Sequence, residues 1–355
     1  MIIYIILLIL ILGLGYIFKP NSNKKNKKIY MIIIGIGLTL ISGFRSINVG
    51  IDTVQFCNAF DNIRHIAWNS LIGETRYEIG FVFFCKLLGI ICSNYQILIF
   101  FTSLIINVLI CRFIYKESED CILSSYLYVT LNYFAANMNT MRQAIATSII
   151  ILAYMSFLKK NKKILYTVCV LVACLFHMSA ICGVFLLLLP NKKYSIKEYN
   201  ITILISIIAF LMADKLFVFF TQILGNYSGY IGSEFYEPNY FAAVIMLLVL
   251  FVILTVGYIY NKENKNDINS KYLYISSLAL IFGATSVKIT LLGRISSYFS
   301  IFNIILLPNV LKNYKDKKQI YLVYYLTYVL CFLYWLIVAI YRPEWYGVIP
   351  YEFFT

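Results

Sequence analysis

Residues 240 to 260 read YFAAVIMLLVLFVILTVGYIY, a run without one charged side chain. A helix of about 20 apolar residues is long enough to cross the hydrocarbon core of a membrane, and similar runs recur from residue 2 to residue 341. The chain of 355 residues is 61% hydrophobic and only 13% charged, with a mean hydropathy of +0.80. These values exclude a soluble fold and predict an all-α polytopic integral membrane protein.

Apolar windows of this length predict the following spans: 2–18, 29–44, 96–115, 121–138, 141–158, 200–220, 240–260, 272–292, 296–311 and 320–341. Two more segments are harder to assign. Residues 81–92 are short for a crossing, and residues 164–189 are too long for one helix and too short for two. We therefore expect 10–12 transmembrane or re-entrant helices in a single membrane domain, 1–355, for which a GT-C-like glycosyltransferase architecture is one option.

Lysine is concentrated in five short loops, at 19–28, 159–163, 192–197, 262–271 and 312–318. By the positive-inside rule these loops mark the cytoplasmic face. The net charge of +14 is then a signal of topology, and nucleic acid is not expected as a partner. Heavy use of Ile, Lys, Asn and Tyr hints at a bacterial source, so the predicted location is a bacterial cytoplasmic (inner) membrane.

Three longer polar segments then face outward: an external loop at 45–78, a second external loop at 221–239, and a C-terminal tail at 342–355. Unlike the lysine loops, they combine acidic residues, arginines and aromatic residues. A surface of this composition is suited to binding a sugar.

The middle of the chain allows two topologies. In the first, the lysine loop 159–163 is cytoplasmic, the turn 137–142 faces outward, 164–189 is a hairpin with His177 at its outer tip, and 79–92 is re-entrant. In the second, 79–92 crosses the membrane and 164–189 is a single span, which places four lysines on the wrong side. We favour the first because it obeys the positive-inside rule.

Arginine has a different distribution from lysine. In the favoured topology all but Arg112 lie at outer loops or outer helix ends, namely Arg45, Arg64, Arg76, Arg142, Arg294 and Arg342. The planar guanidinium is suited to bidentate recognition of phosphate, and arginine near a membrane is costly. The alternative is that these side chains snorkel to lipid headgroups or pair with local acidic residues.

Two carboxylates are candidate general bases. Asp52 follows Arg45 and Gly50 where the second span opens into the external loop, and Glu78 lies where the chain re-enters the membrane. A buried carboxylate at that place would have a raised affinity for its proton and could accept one from a substrate hydroxyl. The alternative for Glu78 is a favourable charge at a helix N-terminus.

A polar cluster between two spans, Asn137-Met-Asn139-Thr-Met-Arg142-Gln143, leads directly into a helix. There guanidinium, amide and helix-end N–H groups could converge on an anion. His177 is the one membrane histidine; it could transfer a proton or bind phosphate, or serve as a structural group. The nine cysteines are scattered without metal-ligand spacing, so neither a disulfide, a metal nor another cofactor is expected.

In this order the motifs resemble a known family. Arg45-x4-Gly50-x-Asp52, Glu78-x-Gly80, Asn139-x-x-Arg142-Gln143 and Phe176-His177 are similar to the EpsG-like group of Wzy-type polysaccharide polymerases. The resemblance covers roughly residues 40–190 and extends loosely to Gly293-Arg294, Tyr298 and the tail. One departure is Phe56, where the family commonly has tyrosine.

This resemblance implies an enzyme that polymerises the repeat units of capsule, exopolysaccharide or O-antigen. The growing glycan would pass from undecaprenyl pyrophosphate to the non-reducing-end hydroxyl of an incoming lipid-linked repeat unit, at a site facing the periplasm or cell exterior. Membrane lipid, a chain-length regulator and a flippase are further expected partners.

For that reaction we expect Arg142 and Arg294 to bind the pyrophosphate, with Arg45, Asn139, Gln143 and Tyr298 in support. Asp52 or Glu78 would be the base, and His177 would assist the base or contact the leaving phosphate. Two other functions remain open: a flippase or other transporter of lipid-linked oligosaccharides, and an O-antigen ligase. The ligase has its large external loop late in the chain, whereas the longest one here is early.

Overall fold

The computed structural model describes residues 1–71, 74–224, 240–261, 268–314 and 317–354. Within these ranges the chain is helical and contains no strand, although one isolated antiparallel bridge joins Arg45 to Phe353. The predicted all-α fold class is confirmed. Most of the predicted second external loop, from residue 225 to residue 239, lies outside the described residues.

Fifteen α-helices occur in the described ranges. They are α1 (Ile2–Phe18), α2 (Lys24–Gly43), α3 (Thr53–His65), α4 (Ile79–Ile91), α5 (Gln96–Glu117), α6 (Cys121–Thr130), α7 (Tyr133–Asn139), α8 (Met141–Ser156), α9 (Lys163–Cys174), α10 (Ile196–Leu224), α11 (Tyr240–Asn261), α12 (Ile268–Ser286), α13 (Gly293–Ser300), α14 (Asn303–Lys312) and α15 (Lys317–Tyr341). Among the short 3₁₀ segments, Trp68–Ser70 and Met178–Leu188 matter for the site.

Within the described residues, five helices are long and apolar enough to cross a membrane, namely α5, α8, α10, α11 and α15. The bent pair α13 and α14 adds a sixth span if the two are counted together. Helices α1, α4, α6 and α9 are also apolar but shorter, with 10–17 residues each. The chain is therefore a polytopic membrane protein, as its composition predicts.

Two predicted spans are broken. Residues 121–138 form α6 and α7, which are separated at Asn132, a residue in the left-handed region with φ 62°; asparagine tolerates this backbone better than most residues. Residues 296–311 divide into α13 and α14, which bend by 42°. The predicted external loop 45–78 is also not a simple loop, since it contains α3, whose Phe56, Phe60 and Ile63 are buried.

The chain forms two compact units, 1–184 with 322–355, and 185–321. In the first unit α2 and α8 each pack against α5. One end of this unit, here called the lysine end, holds contacts between the lysine loops and the segment 117–120. Lys27 Nζ donates to the Ser118 carbonyl at 2.6 Å, and Lys159 pairs with Glu117.

The opposite end of the first unit is called the arginine end. Here Gln96, at the start of α5, donates to the carbonyl of Gly43 at 2.7 Å, and Arg45 donates to the carbonyl of Met138 at 2.8 Å. The turn between α7 and α8 is therefore at this end. Because the loops 19–28 and 159–163 share the lysine end, these contacts agree with the first predicted topology and disagree with the second.

Helix α4 also fits the first topology. It follows Glu78, which contacts Arg142 at the arginine end, and only a short connection separates its last residue from Gln96 at the same end. Its 13 residues span only about 20 Å. Both ends of α4 are thus tied to the arginine end, as expected of a re-entrant segment.

The second unit contains α10, α11 and α12 together with the bent pair. Ser296 of α13 donates to the carbonyl of Ala279 in α12 at 2.7 Å, and Gly257 of α11 lets Leu273 and Leu306 approach closely. Lys288 Nζ pairs with Asp214 of α10 at 3.0 Å. The core of this unit is therefore built around α12.

Candidate functional site

Glu78 is the centre of a cluster of side chains that are distant in sequence. One carboxylate oxygen, Oε2, accepts a hydrogen bond from Arg142. The other, Oε1, lies 3.1 Å from Nδ1 of His177 and accepts a hydrogen bond from the backbone N–H of Met178 at 3.1 Å. Arg142, His177 and the N–H of Met178 therefore converge on one carboxylate, which we call the Glu78 cluster.

The local backbone explains why these groups meet. Helix α9 ends at Cys174, and the carbonyl of Leu175 accepts a hydrogen bond from the N–H of Gly80 at 2.8 Å. A Cβ atom at residue 80 would lie only 2.7 Å from that carbonyl oxygen. Only glycine allows this approach, so Gly80 brings the start of α4 against the break that carries His177.

Arg142 lies in the first turn of α8, as the sequence predicts. Its guanidinium lies 4.8 Å from the ring centre of Tyr77, 5.7 Å from that of Phe56 and 5.9 Å from that of Phe81. These rings favour a cation electrostatically. The Nε atom of Arg142 is buried and has no hydrogen-bond partner among the described residues.

The charge state of Glu78 differs from the prediction. Burial raises the pKa of this carboxyl, but the hydrogen bonds from His177 and Met178 and the positive charge of Arg142 outweigh burial and lower the pKa to about 2. The expected raised affinity for a proton is therefore wrong. These hydrogen bonds and the ion pair with Arg142 decide the result because they stabilise the charged form directly.

Arg45 belongs to a second polar group at the same end of the unit. Its side chain is 1% exposed and donates to the carbonyl oxygens of Ser42, Val49 and Met138. A fourth contact reaches the hydroxyl of Ser103 at 3.4 Å. The carbonyls of Ser42 and Met138 lie in the last turns of α2 and α7, where helices leave carbonyls without a partner; these bonds favour a structural role for Arg45.

Asn139 joins three chain segments in this group. Its side-chain oxygen accepts a hydrogen bond from the N–H of Ile51 at 2.6 Å, and its side-chain nitrogen donates to the carbonyl of Tyr346 at 2.6 Å. Asp52 follows Ile51 directly and is the N-cap residue of α3, without a capping side-chain hydrogen bond. Asp52 therefore lies on a turn that is hydrogen-bonded to Asn139, and Asn139 precedes Arg142 by three residues.

The C-terminal tail lies against the same turn. The N–H of Gly50 donates to the carbonyl of Gly347 at 2.7 Å, and that of Ser46 donates to the carbonyl of Glu352 at 2.9 Å. Tyr351 donates its hydroxyl to the carbonyl of Ile41 at 2.6 Å. The tail thus fixes the chain on both sides of Arg45.

Comparison with known proteins gives one result. A family model described as the EpsG family matches residues 28–353, nearly the whole chain. The chain belongs to the EpsG family. No curated protein matches the chain, and no solved structure matches it.

Family membership confirms the resemblance predicted from the motifs, and the match extends well beyond residues 40–190. The EpsG family is associated with a polysaccharide polymerase-type role and a glycosyltransferase-like activity. The chain is therefore assigned to this class of membrane enzyme.

Three predicted site residues of this EpsG family member remain: Gln143, Arg294 and Tyr298. Gln143 is buried beside Arg142 in α8. Arg294 and Tyr298 belong to α13 in the second unit, where Tyr298 is completely buried. Their part in substrate binding stays a prediction. In the described ranges, no group of three or more His, Cys, Asp or Glu residues is arranged to hold a metal ion.

The sequence reasoning missed the aromatic residues around Arg142. Phe56 was noted only as a departure from the EpsG family, yet its ring lies 5.7 Å from the guanidinium. Tyr77 and Phe81 flank Glu78 in sequence and could have been found there. Lys86 was also missed: it lies within apolar α4 and donates to the carbonyls of Arg64 and Ile66 at the end of α3.

Proposed function

We propose that this protein polymerises lipid-linked glycan repeat units, transferring a growing chain from undecaprenyl pyrophosphate to the non-reducing-end hydroxyl of an incoming repeat unit. The site would face the periplasm or cell exterior of a bacterial cytoplasmic membrane. Its further partners would be membrane lipid, a chain-length regulator and a flippase. The Glu78 cluster is the observation that carries this proposal.

The donors of the cluster form a site for an anion. Arg142, His177 and the N–H of Met178 come from two separate segments and all meet the oxygens of Glu78. Arg142 also keeps a buried Nε–H with no partner in the described residues. Charge-assisted and forked hydrogen bonds are those that recognise phosphate best. In the proposal, pyrophosphate takes the place that the Glu78 carboxylate occupies without substrate.

Asp52 is the base in this proposal. Glu78 is a weak base because its hydrogen bonds and its ion pair with Arg142 lower its pKa to about 2, and a useful general base has a pKa near the working pH. The turn that carries Asp52 is hydrogen-bonded to Asn139, three residues before Arg142. Phe56, one turn into α3, lies under the Arg142 guanidinium. These two contacts hold the turn of Asp52 and the side chain of Arg142 close to each other.

The transfer then follows from these roles. Asp52 takes the proton of the acceptor hydroxyl as that oxygen attacks the anomeric carbon of the growing chain. The bond from this carbon to the pyrophosphate oxygen breaks, and the electron pair leaves with undecaprenyl pyrophosphate. Arg142 and His177 stabilise the charge that develops on the leaving group, as preorganised donors do in other transfer reactions.

Replacement of Arg142 tests the proposal most directly. In cells that depend on this chain for their surface polysaccharide, Arg142→Ala should abolish long polymer and leave single repeat units on lipid at the outer face. Arg142→Lys should restore little, because an ammonium lacks the planar fork. Asp52→Asn should also abolish polymer, whereas Glu78→Gln should leave a reduced amount.

Arg112→Ala is a matched control, because Arg112 is an exposed arginine on α5 outside the Glu78 cluster. It should give wild-type polymer. Long polymer from Arg142→Ala would contradict the proposed site. Repeat units trapped at the cytoplasmic face would instead indicate a flippase, and free polymer without its final acceptor would indicate a ligase.

A further inference from the structure

Helix α3 carries a row of polar side chains on the side opposite its buried face. Gln55, Asn58, Asn62 and His65 are exposed and follow one another at intervals of three or four residues. Side chains at this spacing share one face of a helix, so the row is about 15 Å long. Within the described part of the chain, these four side chains make no hydrogen bond.

The row lies on a helix that is fixed at both ends. Thr53, at the start of α3, donates its hydroxyl to the carbonyl of Val49 at 2.7 Å. At the other end Lys86 donates to the carbonyl of Arg64 at 2.8 Å and to that of Ile66. A row on such a helix presents its amides in a set arrangement, which lowers the entropy lost on binding.

Trp68 extends the row beyond the end of α3. Its side chain is 51% exposed, although its ring is held from the protein side. The ring packs edge-on against Phe83 at 6.0 Å, and Lys86 Nζ lies 5.7 Å from its centre. These contacts orient the indole while about half of its surface stays accessible, an arrangement suited to packing against a flat ligand.

The charge of this surface indicates the kind of ligand. The row contains no lysine or arginine, and the adjacent Asp61 and Arg64 pair with each other at 3.3 Å. A surface that binds anionic lipid headgroups carries clustered basic residues. Amides both donate and accept hydrogen bonds, as sugar hydroxyls do, and an indole face suits the C–H face of a sugar ring. The chemistry therefore matches an uncharged glycan.

The position of the surface connects it to the candidate site. Asp52 immediately precedes α3, and Phe56 on the buried face of α3 lies 5.7 Å from the Arg142 guanidinium. Trp68 packs on Phe83, which follows Glu78 by five residues, about 8 Å along α4. A glycan bound along α3 would thus have Asp52 near one end, and at its other end Trp68, which packs on the helix that begins after Glu78.

We infer that the exposed face of α3, formed by Gln55, Asn58, Asn62 and His65 and completed by Trp68, docks the glycan portion of a lipid-linked repeat unit. This inference rests on the proposed function and adds to it the surface that recognises sugar. The Arg142 and His177 donors of the Glu78 cluster bind the pyrophosphate, and α3 binds the saccharide.

Binding of a soluble oligosaccharide tests this inference separately from catalysis. The probe is the repeat-unit oligosaccharide obtained by partial hydrolysis of the finished surface polysaccharide of the source bacterium, added to the full chain in lipid nanodiscs. Saturation-transfer NMR and calorimetry give contacts and Kd. Wild type should bind, and the triple variant Gln55→Ala, Asn58→Ala, Asn62→Ala should weaken Kd at least about tenfold.

Trp68 separates stacking from membrane anchoring. Trp68→Ala should weaken Kd about tenfold, while Trp68→Phe should keep most of the affinity. Val54→Ala is the control, because Val54 is exposed on the same helix beside the row and should leave Kd unchanged. If Trp68→Ala only lowers incorporation into nanodiscs and leaves Kd unchanged, the indole is a membrane anchor and the inference falls.

The remaining outcomes are also decisive. No binding by wild type, or an unchanged Kd in the triple variant, would overturn the docking surface. Polymer made by Arg142→Ala would overturn the proposed reaction site, whatever the Kd values are. Loss of glycan binding in the triple variant with binding retained in Arg142→Ala is the result expected if saccharide and pyrophosphate are held by different residues.

Discussion

The side-chain oxygen of Asn139 accepts a hydrogen bond from the backbone N–H of Ile51 at 2.6 Å. This bond joins the last residue of α7 to the turn that carries Asp52, although 88 residues separate the partners. The same side chain donates to the carbonyl of Tyr346 at 2.6 Å. One amide therefore holds together the turn, the tail and the segment before Arg142.

Asn139→Asp tests whether both functions of this amide are required. The carboxylate can still accept from Ile51, but it cannot donate to the Tyr346 carbonyl and would repel it. Leaving that carbonyl without a donor should cost about 1–3 kcal/mol of unfolding free energy. The measurement is thermal or chemical unfolding in detergent, and a variant as stable as wild type would show that the bond to the tail contributes little.

The fold was largely predictable from the sequence because hydrocarbon thickness fixes the length of an apolar run. Helices α1, α10 and α11 begin and end within a few residues of the predicted spans. The break at Asn132 was not predictable, since neither glycine nor proline marks it and the surrounding run stays apolar. It depends on a left-handed backbone at one residue, which sequence composition does not reveal.

The site was predictable only in part. The lysine loops predict that Glu78, Arg142 and His177 lie on one side of the membrane, because sidedness follows from charge. Their convergence could not be derived, since 64 residues separate Glu78 from Arg142 and 99 separate it from His177. Arg45 is close to Asp52 in sequence, and its donors bind carbonyl oxygens; its supporting part in pyrophosphate binding stays a prediction.

Tyr351→Phe tests the attachment of the C-terminal tail. The hydroxyl of Tyr351 donates to the carbonyl of Ile41 at 2.6 Å, so its removal should destabilise the protein by about 1 kcal/mol. Polymer formation should fall if the tail holds the turn of Asp52 in place. Tyr341→Phe is a suitable control because Tyr341 is 71% exposed; an equal effect of both changes would argue against a specific role for the tail.

Gly80→Ala should be strongly destabilising, because its Cβ would lie 2.7 Å from the backbone oxygen of Leu175. A shift of α4 away from Leu175 would also separate Glu78 from His177. The expected cost is about 2 kcal/mol or more, together with loss of polymer.

Gly37→Ala is the matched control: no atom lies within 4 Å of its Cβ position, and alanine should stabilise α2 by up to about 1 kcal/mol. Equal stability of both variants would refute this role of Gly80.

Lys86→Met should weaken the anchoring of α3. The ammonium donates to the carbonyls of Arg64 and Ile66, and hydrogen bonds to charged groups contribute about 1.5–3 kcal/mol. Methionine keeps the apolar stem but no donor, so unfolding should become easier and the fluorescence of Trp68 should shift. Lys116→Met, at an exposed position on α5, should change neither; a spectrum unchanged in Lys86→Met would contradict the proposed anchoring.

The pKa of Glu78 sets the pH range in which the cluster stabilises the protein. Its ordinary value is 4.5, and in the folded protein burial is outweighed by His177 and Arg142, so the pKa falls to about 2. A carboxyl with a lowered folded pKa stabilises fully above its unfolded pKa, and this stabilisation is lost as the pH falls through the folded value. Wild type should therefore unfold at a higher temperature than Glu78→Gln from neutral pH down to about 4.5, and the difference should close between pH 4.5 and 2.

Glu344→Gln is the control, since Glu344 is 61% exposed and lies 3.7 Å from its arginine partner. A difference between wild type and Glu78→Gln that disappears already above pH 5 would mean that Arg142 and His177 do not hold the carboxylate in its charged form.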